Sequence, residues 1–173
     1  GYSLRTSRLT AGRIGARERE WLRWGGACAT LFLGLLLLDR LVPTDYLGLS
    51  WWLFALLLFE LGLRKLPESL RIVSYAAAAL ATLTVVASHG EAFLKFAPRP
   101  VWISCFGAGI SAWILATRAM LASASELDDA GERSTLFRFA TALGTPFTLA
   151  GIWIVAPGSV VPVAWAALAV LLL

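Results

Sequence analysis

The stretch "WWLFALLLFELGLRK", Trp51 to Lys65, carries a single acid, Glu60, in an otherwise apolar run that closes on two bases. Such a run is long enough to cross a hydrocarbon core of about 30 Å at 1.5 Å of rise per residue. Whether Glu60 sits inside the membrane or at its edge decides how the rest of the chain is read.

The whole chain answers in favour of a membrane. Of its 173 residues, 58% are hydrophobic and 15% charged. A soluble domain has about 45–50% apolar and about 25% charged residues. The excess is organised into runs of roughly 17–22 residues, which a buried soluble helix seldom needs around its full circumference. The expected fold is therefore all-α, a polytopic membrane helix bundle. Six spans are expected: Trp24 to Val42, Tyr46 to Leu63, Leu70 to Ser88, Val101 to Thr117, Leu136 to Ala156, and a sixth that begins near Ser159 and is still apolar at Leu173. Residues 1–23 form a basic arm and residues 24–173 the bundle.

Lysine and arginine set the orientation. Arg5, Arg8, Arg13, Arg17, Arg19, Arg23, Arg64, Lys65, Arg71, Arg118, Arg133 and Arg138 fall on one side, and Arg40, Lys95 and Arg99 on the other. Cytoplasmic loops are enriched in these residues, so the N-terminus is expected in the cytoplasm. Tyr46, Trp51, Trp52, Trp102 and Trp153 then lie near the outer ends of their spans, with Trp21 and Trp24 at the inner boundary, where indole rings favour headgroup depth. The net charge of +4 is explained by these flanks, and no nucleic-acid-binding signature accompanies it. The first 20 residues hold five arginines and no apolar core, unlike a cleavable leader. The basic arm, followed by its two tryptophans, suits anionic lipid headgroups.

In this orientation Glu60 lies one turn from the inner end of its span, with Arg64 four residues on. An (i, i+4) pair shares one helix face, and a paired carboxylate near water costs far less than one at the bilayer centre. A boundary ion pair is the expected role of Glu60 and Arg64. A carboxylate facing an inner vestibule, contacting a proton or cation, is the functional alternative.

Other candidates are weaker. The outer segment "SHGEAFLKFAPRP", residues 88–100, holds His89, Glu91, Lys95 and Arg99. One histidine and one acid make a poor metal site, and the segment reads as an amphipathic loop on the headgroups. Pro146 interrupts the fifth span, where a missing hydrogen bond and a push on the Ala142 carbonyl predict a kink. That kink is architectural or, in a transporter, a hinge. Residues 123–135, "SASELDDAGERST", read as a solvated connection with Ser134 or Thr135 capping the fifth span. Small residues predict close helix approach at Ala77 and Ala81 and at Gly107 and Ser111. Cys28 and Cys105 fall near opposite faces and are expected to pack rather than pair. No nucleophile elbow, phosphate loop or paired-carboxylate motif is present, so no catalytic residue and no cofactor is expected.

Residues 42–59, "VPTDYLGLSWWLFALLLF", align with residues 156–173, "APGSVVPVAWAALAVLLL", at an offset of 114. Pro43 meets Pro157 and Trp51 meets Trp165, which suggests a repeated hairpin. The fifteen residues from Ser159 to Leu173 make only about 22 Å of helix, so the chain is expected to be a fragment of a longer one. Tandem hairpins with proline turns, tryptophan-headed return spans and an inner end such as "FELGLRK" resemble large bacterial polytopic membrane proteins of unknown function. The resemblance covers nearly the whole chain, rests on pattern, and carries over no catalytic residue.

Three functions are compatible with this reading. The foremost is a non-catalytic accessory module that packs against other transmembrane helices or subunits in a bacterial inner membrane. The second is part of a transporter or channel, which needs polar residues converging near the midplane and broken helices. The third is a membrane enzyme acting on lipid-linked substrates.

Overall fold

The computed structural model describes residues 15–64, 68–95, 101–122, 130–156 and 158–171. Within them the chain is all-helical: α1 (Ala16–Leu41), α2 (Thr44–Leu63), α3 (Glu68–Lys95), α4 (Val101–Leu121), α5 (Ala130–Val155) and α6 (Val161–Leu171). The first five are long and apolar enough to cross a membrane. The sixth, at 11 residues, is apolar but shorter. The chain is a helical membrane bundle.

Local chemistry sets the helix ends. At the start of α1 the Gly15 N–H donates to the Glu18 carboxylate at 3.1 Å, and an acid in the first turn suits the positive end of the helix. The helix stops because Pro43 pushes Val42 into extended backbone, φ −107° and ψ 133°. Val42 still donates to the Leu38 carbonyl at 2.9 Å. Only Val42 and Pro43 separate α1 from α2. At the far end of α2, Arg64 donates its N–H to the Glu60 carbonyl at 3.2 Å.

Two helices begin or end away from their expected places. Helix α3 continues through Lys95, so residues 89–95 extend the third helix beyond its apolar window instead of forming a loop. An unbroken Ala- and Leu-rich run propagates helix more easily than His89 and Gly90 can stop it. Helix α5 starts at Ala130, so Ser134 and Thr135 lie inside its first turns and cap nothing. Pro146 sits within a continuous α5, on its exposed side. Beside it the Thr145 hydroxyl donates to the Thr141 carbonyl at 2.9 Å.

Two antiparallel hairpins, α2–α3 and α4–α5, make the core. Glycine brings the first pair close. A Cβ on Gly62 would lie 2.7 Å from the Arg71 nitrogen, and one on Gly48 would collide with Val85. Between these points Ala77, Ala78 and Ala81 are buried. In the second pair a Cβ on Gly109 would lie 2.7 Å from Thr148 Oγ1. Small residues at such crossings maximise van der Waals contact, which drives helix association where lipid is as apolar as leucine. The hairpins meet through α2 and α4, with Leu49 over Gly107 and the Ser104 hydroxyl donating to the Asp45 carbonyl at 2.6 Å. Trp52 is 0% exposed, so it fills this core rather than the headgroup layer expected for it. Trp153 and Trp165 stack at 5.7 Å and tie α5 to α6.

Helix α1 is peripheral. Ala27 packs with Leu58 and Val73, yet only 6% of its most apolar window is buried.

Candidate functional site: two ion-pair bridges at one end of the bundle

The end of α2, the start of α3, the end of α4 and the start of α5 lie together, and each contributes a charge. This is the arginine-rich end of the sequence reading. Glu60 is indeed paired with Arg64, whose Nε donates at 3.0 Å. It has a second and stronger partner that the sequence reading missed. Arg118 of α4 grips the same carboxylate with its Nε at 3.0 Å and its Nη2 at 3.1 Å. A bidentate fork of this kind is worth more than a single contact because its two bonds share one preorganised plane.

A second bridge lies beside the first. Arg71 of α3 donates from Nε and Nη2 to the two oxygens of Glu132 in α5, at 3.0 and 2.9 Å. The Tyr75 hydroxyl adds a third bond to Glu132 at 2.7 Å. On the other side Arg71 reaches Glu68 at 3.1 Å. The Arg71 side chain is 8% exposed and that of Glu132 23%, so this pair is the more deeply desolvated. Among the described residues, no Cα of α3 comes within 8 Å of one in α5. Long side chains alone span that gap.

Among the described residues, the polar chain runs from exposed Glu68 through Arg71 and Glu132 to Tyr75, and there it stops. Tyr75 abuts Phe59, ring centroids 6.2 Å apart. Beyond lie Ala77, Ala78, Ala81, Ala108 and Ala112, all buried. Further along, the Ser104 hydroxyl serves the backbone and Thr148 accepts from Trp113 Nε1 at 3.3 Å, while the buried Thr141 hydroxyl has no partner among the described residues. No group of three or more metal-ligating side chains occurs among the described residues.

Of the candidates drawn from sequence, Glu60 and Arg64 belong to this site. Pro146 lies on α5 away from it. The backbone of His89, Glu91 and Lys95 is the last stretch of α3, but their side chains lie outside the described residues, as does all of Arg99. Glu132 lies in residues 123–135, whose composition reads as a solvated connection and gives no sign of a partner. Arg118 was assigned to the correct end but not to a partner. A usable signal was present: Glu60 stands three residues before the end of α2 and Arg118 three before the end of α4, so neighbouring helices bring them to equal depth. No family model, characterised protein or solved structure matches this chain.

Proposed function

We propose that this chain is a non-catalytic integral membrane module that packs against further transmembrane helices or subunits. We place it in a bacterial inner membrane, with the arginine-rich end in the cytoplasm and the basic N-terminal arm on anionic headgroups. The observation that carries the reading is that, among the described residues, charged side chains sit only towards the helix ends, with both ion-pair bridges at one of them. Both carboxylates of the bridges serve arginine partners, and the interior beyond Tyr75 is built mainly of alanine, valine and leucine. A transporter needs polar groups converging near the midplane.

Helix α1 supports the packing role. Leu22, Gly25, Ala29, Phe32 and Leu36 are all exposed and recur at spacings of three and four, one stripe of a helix. A Cβ on Gly25 would meet nothing within 4 Å, so another helix could approach there closely.

The test has two arms. Protein reconstituted into vesicles holding a pH-sensitive dye should leak protons no faster than empty vesicles. A photo-crosslinker at position 32 or 36, activated in native membranes, should give a discrete protein adduct. Flux that disappears in Glu60→Gln would replace this reading with the transporter one. Adducts to lipid alone would remove the packing role.

A further inference from the structure

We infer that Glu60, Arg71, Arg118 and Glu132 form a charge code that selects which transmembrane hairpin pairs with which. The first hairpin presents an acid on the helix that arrives at the arginine-rich end and a base on the helix that leaves it. The second presents the reverse, Arg118 arriving and Glu132 leaving. Both bidentate bridges therefore run between hairpins, α2 to α4 and α3 to α5, with opposite polarity.

A code has a purpose in lipid. Apolar helix faces discriminate poorly there, because the surrounding tails are as apolar as the faces themselves. Much of the contact between these hairpins is of that kind, with alanines on α3 and α4. Charges differ, because a wrong pairing is penalised. If the first hairpin met a second copy of itself in the same register, Glu60 would face Glu60 and Arg71 would face Arg71. Like charges in partly buried sites are repelled, and each would also lose its bidentate partner on the second hairpin. The surface of α2–α3 thus accepts a hairpin that presents arginine and then an acid, and rejects its own copy, which is specificity by exclusion. Ion pairs are best attested in this role of fixing register and partner. The inference holds whatever the protein does.

The code can be inverted without altering composition. Exchanging Glu60→Arg with Arg71→Glu leaves the net charge of the first hairpin unchanged, and with it the basic bias that orients the chain. Arg118→Glu with Glu132→Arg does the same for the second. Thermal unfolding of the full chain in lipid nanodiscs gives a midpoint for each double exchange and for the fourfold variant. Arg64 and Glu68 add local like-charge contacts to the first exchange. Those contacts are present with either form of the second hairpin and cancel in the coupling. Each exchange alone should lower the midpoint by roughly 4 °C or more, and the fourfold variant should regain at least half of the summed loss. Losses that simply add, or a fourfold variant worse than the sum, overturn the code. If the inverted chains do not accumulate, the neutral cycle of Arg71→Gln, Glu132→Gln and the pair decides. The pair should then lose no more than the worse single variant, and additive losses overturn the inference.

Discussion

Arg71 and Glu132 stand 61 positions apart and meet as a fork of two hydrogen bonds, 3.0 and 2.9 Å long, that joins helices whose backbones do not touch. A pair this desolvated is costly to break from one side only, because the survivor keeps its charge without its most deeply buried counter-charge.

Arg71→Met should therefore destabilise the bundle by about 3 kcal/mol. Arg71→Met combined with Glu132→Leu should cost less than the single change, since no orphan charge remains. Denaturant titration in mixed micelles of the single and double variants checks the order. A double variant less stable than Arg71→Met would show that packing, not charge, dominates at this site.

The two partners of Glu60 differ in worth. Arg64 is 72% exposed on its side chain, so Arg64→Ala should cost under about 1 kcal/mol, as exposed pairs do. Glu60→Gln also loosens the Arg118 fork and should cost about 2 kcal/mol, the scale of hydrogen bonds to charged groups. Equal losses in the two variants would mean that the fork contributes nothing beyond the surface pair.

Two glycines should behave in opposite ways. Gly62→Leu forces a side chain into the backbone of Arg71 and should destabilise by about 2 kcal/mol through overpacking. Gly25→Leu points into open space and should leave the thermal midpoint of the purified chain unchanged, while abolishing the crosslinked adduct at position 32. Loss of stability in Gly25→Leu would place α1 deeper in the bundle.

Orientation is open to labelling in a background with Cys28 and Cys105 replaced. A membrane-impermeant thiol reagent added outside intact cells should modify a cysteine at position 91 and spare one at position 130. The reverse pattern inverts the topology and moves both ion-pair bridges to the outer face.

The sequence made the spans legible because apolar run length is a one-dimensional property, and Val42–Pro43 marked a turn by its own backbone chemistry. It also revealed the Glu60–Arg64 pair, which lies within one helix. Arg118 and Glu132 were illegible as partners because their contacts depend on which helices are neighbours. Glu132 was hidden further by a helix start placed six residues too late. Its segment, rich in Ser, Asp and Gly, has the composition of a loop. Trp52 is ambiguous in sequence for a related reason: an aromatic near the end of a span suits both the headgroups and a core, and only the facing of the helix chooses between them.

The link of Val42 and Pro43 has a consequence for how the protein is made. The three Cα-to-Cα steps from Leu41 to Thr44 reach at most about 11 Å, no more than the 10–12 Å diameter of a helix. Once α1 enters the bilayer, the first turn of α2 is already held at its surface, within contact distance of α1. The two helices must then cross as a unit, with α2 sliding in along a neighbour that has arrived moments before. A flexible spacer of ten glycines and serines placed between Val42 and Pro43 would let the nascent chain pause there, and protease access to that spacer during synthesis would reveal the pause.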